Sequence, residues 1–376
     1  MNKVILYVIF AFAVLGCLDK ITGNRFGLGK KFDEGFMAMG NLALAIIGIY
    51  ALAPVLTNGL SKVITPVFSM LGADPSIFPA SILACDMGGY ISSVKIAQTK
   101  ELGLFSGLIL SSMLGATIIF TIPIGAGTIE KEDYPFFTKG ILAGMVTIPI
   151  GCIVGGIMSG MSFQVLLPNL LPIIIMSSLL GIGLTKWPDK MIAAFNLFSR
   201  IIVIIGTIGL ILSIFQEITG ITLVKGMEPF MEGLKIVGSI AIVLAGAYPM
   251  MHVITRIFKK PLSNLGNRIG IGEKAVAGII VALANNIPAF ILMKDMDDRG
   301  KIICSAFAVS GAFTFGGQLG FVASIDQTML VPFILAKLTA GISAVALGFL
   351  LTRDMQEHHK TSVYRIPLTQ TNRGDY

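Results

Sequence analysis

The stretch EGFMAMGNLALAIIGIY, residues 34–50, decides what kind of fold this chain adopts. With the apolar residues that follow, it reaches the roughly 20 residues that a helix needs to cross the hydrocarbon core of a bilayer. The stretch EGLKIVGSIAIVLAGAY, residues 232–248, repeats its Glu, Gly, Gly, Ala, Gly and Tyr at the same spacing without a gap. Two such similar apolar helices predict a membrane protein built from an internal duplication.

Three further pairs of segments match in the same order and at nearly the same shift of about 200 residues. They are ITG at 21–23 and 218–220, LACDMGGY at 83–90 and LANNIPAF at 283–290, and PFFTKGILAG at 135–144 and PFILAKLTAG at 332–341. Chance similarity between low-diversity apolar sequences is the alternative explanation. The duplication predicts a first membrane repeat over 1–160, a linking transmembrane segment over 161–190, a second membrane repeat over 191–352 and a polar cytoplasmic tail over 353–376.

The composition supports a membrane protein throughout. Of the 376 residues, 54% are hydrophobic and only 13% are charged, whereas soluble domains carry about a quarter of charged residues. The apolar stretches predict an all-α polytopic fold with about 11 transmembrane helices, two five-helix halves and helices broken at the functional site. The predicted spans are 3–18, 36–56, 77–94, 103–126, 138–160, 164–185, 192–216, 234–256, 273–293, 301–323 and 329–352.

The charges give the orientation and exclude a nucleic-acid partner. The net charge is +7, but the basic residues fall mainly between apolar runs, where they signal topology. In a simple alternation of eleven spans, the basic loop RIFKK (256–260) lies outside, against the positive-inside tendency. One predicted span is therefore re-entrant or absent. The two halves are parallel if the linking segment crosses the membrane, and inverted, as is common in secondary transporters, if it does not.

Asp86 is the one acid well inside a predicted span, and it precedes the pair Gly88-Gly89. A charge at the bilayer centre costs about 2.5–3.5 kcal/mol on insertion scales and is a functional-site hypothesis by default. The second half places Asn286 at the matched position, beside Asn285. Polar residues beside helix interruptions in both halves predict a cation site at the repeat interface. The alternative is that Asp86 caps a broken helix or pairs with an internal basic group.

Matched aromatic residues add a second element to this predicted site. Tyr50 matches Tyr248, and Tyr90 matches Phe290. Aromatic faces near an acid can hold an ammonium group, although ordinary packing or an interfacial position explains them equally well. Gln318, in FTFGGQLGF, either joins the site or bonds to a neighbouring helix.

No catalytic or cofactor motif accompanies this pattern. The sequence lacks the phosphate-binding GxxxxGK[ST] loop, HExxH and GxSxG, and its cysteines and histidines have no metal-ligand spacing. We therefore expect neither an enzyme nor a cofactor.

Three segments resemble the EutH family of ethanolamine permeases: NRFGLGKKFDEGFMAMGNLALAIIGI (24–49), GADPSIFPASILACDMGGY (72–90) and LANNIPAFILMKDMDDRGK (283–301). The family's acidic motif reads NDMGGY, and Cys85 takes the place of its Asn here. The resemblance implies uptake of ethanolamine across the bacterial inner membrane, by a secondary carrier or facilitator. It also implies that Asp86 holds the ammonium and that Asn285, Asn286 or Gln318 meets the hydroxyl.

Two other functions stay open at this stage. One is a membrane-embedded enzyme or subunit that binds the amine without moving it. The other is a carrier of a different small polar solute, coupled to Na⁺ or H⁺ through Asp86. The glycine-rich spans can pack within one chain or between two, which leaves a homodimer open.

Overall fold

The computed structural model describes residues 2–353, so the predicted cytoplasmic tail lies almost wholly outside the described residues. Residues 2–353 form α-helices with short π- and 3₁₀-helical segments, and they contain no β-strand. Eight helical segments of this range are long and apolar enough to cross a membrane. The predicted all-α polytopic membrane fold is thereby confirmed, but the count of about 11 helices is not.

The eight membrane-length segments include seven single helices and one composite. The single helices are α1 (Asn2–Ile21), α2 (Leu28–Met70), α7 (Tyr134–Met158), α8 (Phe163–Lys186), α9 (Pro188–Thr219), α10 (Phe230–Ile269) and α15 (Leu330–Leu351). The composite joins α5 (Lys100–Leu104) and α6 (Ile122–Thr128) through π-helical turns over Phe105–Gly115 and Thr117–Thr121.

The other three predicted spans are broken helices. Span 77–94 becomes α3 (Ile77–Ile82), a π-helical turn (Cys85–Gly89) and α4 (Tyr90–Ile96). Span 273–293 becomes α11 (Glu273–Ala282), α12 (Asn286–Ile291) and a 3₁₀ turn (Leu292–Asp295). Span 301–323 becomes α13 (Asp298–Ser310) and α14 (Gly317–Ile325), separated by an irregular stretch.

The first broken segment is a hairpin whose two ends meet at Asp74. One carboxylate oxygen accepts from the Ser76 backbone N–H at 2.9 Å, and the other accepts from Gln98 at 2.9 Å. Asn169 of α8 fixes this corner by accepting from the Asp74 backbone N–H at 2.7 Å. The chain therefore enters and leaves on the same face of the protein, and residues 76–98 form a re-entrant hairpin, called hairpin 1.

The second broken segment closes in the same way at Asp297. Its carboxylate accepts from the backbone N–H groups of Gly272 and Gly300, both at 3.1 Å. Residues 272–297 therefore form hairpin 2, which also returns to the face from which it starts. Neither hairpin crosses the bundle, and this is why the simple alternation of eleven spans fails.

Because both hairpins are re-entrant, the basic segments lie on the same face of the protein. The start of α2 and the end of α10 lie on one face, which carries Lys30, Lys31, Arg256 and Lys260 and is called the basic face. Lys31 and Arg256 line one common cavity there. The positive-inside tendency assigns this face to the cytoplasm. The expected conflict at residues 256–260 therefore disappears.

The matched stretches of α2 and α10 pack against each other at the centre of the molecule. Gly35 lies against the backbone of Leu244 and Ala245, and Gly233 lies against Ile47. An early residue of one helix thus meets a late residue of the other, so the two helices are antiparallel. A Cβ at Gly35 would lie 2.6 Å from the Ala245 nitrogen, so the close approach requires glycine there.

Candidate functional site

A cavity of about 360 Å³ lies where α2, α10, the two hairpins and α14 meet. We call it the central cavity. Its polar lining side chains are Asn41, Asp86, Tyr248, Asn285 and Gln318. Phe120 and Phe313 contribute an apolar wall and pack edge to face, with ring centroids 5.3 Å apart. The cavity combines one carboxylate, amide groups and aromatic rings.

The local backbone explains why Asp86 is followed by two glycines. Residues 83 and 84 are extended, and Ala84 accepts backbone hydrogen bonds from Met87 and Gly89, both at 2.9 Å. Gly88 has φ +92°, which side-chain-bearing residues rarely adopt. Gly89 touches the Leu83 and Ala84 carbonyls, so a side chain there would clash with the backbone. This tight turn presents Asp86 to the cavity.

Asp86 is half-buried and has no local partner. Within residues 2–353, its carboxylate accepts no hydrogen bond from another residue and has no basic group within 4.0 Å. The π-helical turn and α4 also lack a side-chain cap. Asp86 therefore caps neither half of the broken helix, and it forms no ion pair within 4.0 Å among residues 2–353.

Sequence reasoning missed Lys337, which is 1% exposed within α15. Its Nζ donates to the Ser112 carbonyl oxygen at 2.7 Å and to Gln318 Oε1 at 2.9 Å. Gln318 lines the same cavity as Asp86, but Lys337 and Asp86 form no ion pair within 4.0 Å. The signal was present in PFILAKLTAG, because a basic residue in an apolar span is as anomalous as an acid.

Gln318 lies at the start of α14 and is 4% exposed. Since its Oε1 accepts from Lys337, its amide NH₂ remains for the cavity that it lines. The irregular stretch before it binds to the break in hairpin 2. The N–H groups of Phe313 and Phe315 donate to the carbonyls of Ala282 and Leu283 at 3.0 and 2.9 Å. These two bonds bring Gln318 and hairpin 2 to the same wall of the central cavity.

The two predicted asparagines lie in different surroundings. Asn285 lines the central cavity, and its Oδ1 caps α12 by accepting from the Ile287 N–H at 2.9 Å. Asn286 is fully buried, and its Nδ2 donates to Thr121 Oγ1 at 3.2 Å and to the Ala308 carbonyl at 3.3 Å. Asn286 is not among the lining residues. Asn286, the residue matched to Asp86, therefore packs against other helices, whereas its neighbour Asn285 reaches the central cavity.

Of the three predicted tyrosines, only Tyr248 lines the central cavity. Tyr90 packs edge to face on Phe321, with ring centroids 5.9 Å apart. Tyr50 precedes Ala51, whose carbonyl accepts from the Glu228 backbone N–H at 3.0 Å. Because α2 and α10 are antiparallel, the matched Tyr50 and Tyr248 belong to opposite ends of the molecule. Asn41 of α2 is a lining residue that sequence reasoning missed; it is exposed and lies at the open side of the cavity.

A second cavity, of about 530 Å³, lies between the central cavity and the basic face. Tyr248, Ala284 and Asn285 line both cavities, so they form the wall between them. The second cavity, called the basic vestibule, is also lined by Lys31 and Glu34, which form an ion pair at 2.5 Å. Its other polar lining residues are His252, Thr255 and Arg256.

Comparison with known proteins identifies the family. The sequence model described as "Ethanolamine utilisation protein, EutH" matches residues 1–351. The chain is 48% identical to the probable ethanolamine permease EutH of Listeria monocytogenes, over 96% of both chains. It is 42% identical to the protein of the same name in Salmonella typhimurium and 45% identical to the uncharacterized protein YxeR of Bacillus subtilis. Both of these matches cover 93% of this chain and 95% of the relative.

No solved structure matches the chain significantly. The relatives are bacterial, and the described residues contain eight helices of membrane length. The chain is therefore a multi-pass bacterial membrane protein, as its sequence predicts. Its similarity to these proteins and to the family's sequence model extends over nearly its whole length. The chain belongs to the EutH family of ethanolamine utilisation proteins.

Proposed function

We propose that this protein carries ethanolamine across the bacterial inner membrane and that the central cavity is its binding site. One observation carries the proposal: a carboxylate without a local partner, Asp86, lines a cavity at the centre of a membrane bundle. Such a group attracts a small cation, and ethanolamine is a small ammonium with one hydroxyl. The name of two relatives, "probable ethanolamine permease", agrees with a transporter rather than an enzyme.

The lining residues match the two ends of this guest. Asp86 would hold the ammonium by a charge-assisted hydrogen bond. The ring of Tyr248, on the same cavity wall, would add a cation–π contact. The amide NH₂ groups of Gln318 and Asn285 are left as donors by their other bonds, and they would donate to the hydroxyl oxygen. Phe120 and Phe313 would contact the two methylene groups.

We infer that the two halves, 1–160 and 191–352, are inverted relative to each other. The antiparallel packing of α2 on α10 supports this arrangement, and the hairpins enter from opposite faces. The first half then has four crossing segments, namely α1, α2, the composite and α7. The second half has α9, α10 and α15, with the broken pair α13–α14 as its fourth crossing, and each half adds one re-entrant hairpin. With four crossing segments per half, the halves are inverted only if the linking helix α8 crosses the membrane. Five crossing helices per half would give the opposite rule, in which a crossing linker makes the halves parallel.

The inverted arrangement supplies a route. The central cavity is separated from the basic vestibule by the wall of Tyr248, Ala284 and Asn285. This wall would open for release to the cytoplasm. Rocking of one half against the other would open the corresponding wall on the opposite face, as in carriers built from inverted repeats.

Uptake of labelled ethanolamine into proteoliposomes that contain the purified protein tests the proposal. We expect time-dependent uptake that unlabelled ethanolamine inhibits and that protein-free liposomes lack. Tight binding without flux would instead favour an amine-binding subunit. If a different polar solute abolishes the uptake and unlabelled ethanolamine does not, the protein has another substrate. Either result would overturn the proposed function.

A further inference from the structure

We propose that Lys337 is a built-in countercharge of the central cavity and takes the place of a co-transported metal cation. On this view the carrier binds its ammonium guest without Na⁺ or K⁺. The inference rests on the proposed function, because it concerns how the same cavity treats a cationic guest. It also gives a role to Lys337, a buried basic residue that does not line the binding site.

The surroundings of Lys337 resemble those of a bound cation. Its Nζ is held by two oxygens, the Ser112 carbonyl and Gln318 Oε1, at 2.7 and 2.9 Å. Ser112 belongs to the π-helical turn Phe105–Gly115, and Gln318 follows the break between α13 and α14. In carriers with broken helices, backbone carbonyls at helix irregularities coordinate Na⁺. The Ser112 carbonyl, in a π-helical segment, is of this kind, and Gln318 adds a side-chain oxygen. Here an ammonium group of the chain itself lies on such oxygens.

Lys337 is separated from Asp86, which suits a balancing charge better than a direct ion pair. Lys337 bonds to Gln318, which lines the same cavity as Asp86, yet Lys337 and Asp86 form no ion pair within 4.0 Å. A direct buried pair would have to be broken before a guest could bind, and breaking such pairs costs about 3–5 kcal/mol. Lys337 instead lies behind Gln318, outside the cavity lining. It balances the carboxylate and leaves its oxygens accessible.

The charge balance of the cavity follows from these two residues. No lysine or arginine of residues 2–353 lines the central cavity itself, and Lys337 is bonded to its lining residue Gln318. On this proposal Lys337 offsets the Asp86 charge from a distance, so the empty site needs no metal cation from solution. The Asp86 oxygens still attract an ammonium guest that contacts them directly. Without Lys337, the carboxylate would be unbalanced in a medium of low dielectric constant, where charge interactions are strong. A metal ion from solution would then occupy it and compete with the guest.

The experiment measures ethanolamine binding to the purified protein by isothermal titration calorimetry in NaCl, KCl and N-methylglucamine chloride. The variants are Lys337→Met, Lys337→Arg and the control Lys95→Met. Lys95 also donates to a backbone oxygen, that of Pro54 at 2.9 Å, but it does not line the central cavity. Thermal melting of each variant checks that it is folded.

We expect the wild type, Lys337→Arg and Lys95→Met to bind equally well in all three salts. Lys337→Met should bind at least as tightly as the wild type in N-methylglucamine chloride, and several-fold more weakly in NaCl or KCl. A merely structural role for Lys337 would weaken binding in every salt alike.

Two results would overturn the inference and leave the proposed function intact. They are wild-type binding that requires Na⁺ or K⁺, and Lys337→Met binding that is the same in all salts or weaker than wild type in all. Absence of wild-type binding in every salt would instead overturn the proposed function together with the inference. If Lys337→Met does not fold, the wild-type measurement still decides whether a metal cation is needed.

Discussion

At the scale of single residues, the proposed site depends on two charged side chains within the helical bundle, Asp86 in the cavity lining and Lys337 behind it. Asp86 stands out because an acid in an apolar stretch must have a reason to be there. Lys337 obeys the same rule, yet no local motif links it to residue 86. Asn285 is the extended N-cap of α12 and Asn286 is its first helical residue, so their side chains point in different directions, which a sequence match cannot resolve. The structure places the first at the cavity and the second in a packed interface.

Asn285→Ser is expected to weaken ethanolamine binding by about 2- to 10-fold, the effect of losing one neutral hydrogen bond. Serine is a good helix cap, so this variant keeps the cap of α12 and removes only the amide donor. The matched variant Asn286→Ala should leave the Kd unchanged and lower the melting temperature, because its bonds to Thr121 and Ala308 are lost. Equal effects of both variants on the Kd would contradict this assignment.

Tyr248→Leu is expected to raise the Kd for ethanolamine by removing a cation–π contact of about 0.5–2 kcal/mol, which corresponds to roughly 2- to 30-fold. Tyr50→Leu is the control, because Tyr50 is the matched residue and does not line the central cavity. Calorimetric titration of both variants measures the difference. An unchanged Kd for Tyr248→Leu would show that the ring does not touch the guest.

At the scale of elements, the sequence predicts where helices break but not where the chain goes afterwards. Gly88-Gly89 and Pro288 correctly indicate interruptions. A re-entrant hairpin and a crossing helix both need a similar apolar stretch, so hydropathy does not separate them. The difference depends on Asp74 and Asp297, each of which binds both ends of its hairpin. These polar residues lie in loops and give no such signal in the sequence.

Gly35→Ala is expected to destabilise the protein by about 1–3 kcal/mol, because the new methyl group would collide with the backbone of α10. Gly40→Ala is the matched control in the same helix, since a Cβ at Gly40 meets no atom within 4 Å. Alanine there should be neutral or slightly stabilising, because it favours the helix. Thermal unfolding in detergent compares the two. A similar melting temperature for both would contradict the close packing of α2 on α10.

At the scale of the whole molecule, the matched stretches predict two related halves but leave their relative orientation undecided. Orientation depends on how many segments of each half cross the membrane, and eleven apolar stretches do not give that number. The antiparallel pair α2 and α10, together with hairpins pinned on opposite faces, is what favours inversion. The conflict over residues 256–260 was the sequence signal that the simple alternation was wrong.

Cysteines introduced at Gly72 and Gln98 should both react with a membrane-impermeant thiol reagent added to intact cells, because hairpin 1 starts and ends on the face opposite the basic face. A cysteine at Lys131 should react only after permeabilisation. The native residues Cys17, Cys85, Cys152 and Cys304 are replaced beforehand. Labelling of positions 72 and 98 from different sides would show that residues 76–98 cross the membrane.

The central claim is that the Asp86 carboxylate holds the ammonium of the guest, and the ethanolamine Kd of Asp86→Asn tests it most directly. This variant keeps the size of the side chain and removes its charge, and Glu130→Gln, in a loop between α6 and α7, is the control. Losing one partner of a buried charge pair costs about 2–5 kcal/mol, so the Kd should rise at least roughly 30-fold. Glu130→Gln should bind as the wild type does. A folded Asp86→Asn protein whose Kd stays within about twofold of wild type, less than 0.5 kcal/mol, would contradict the account.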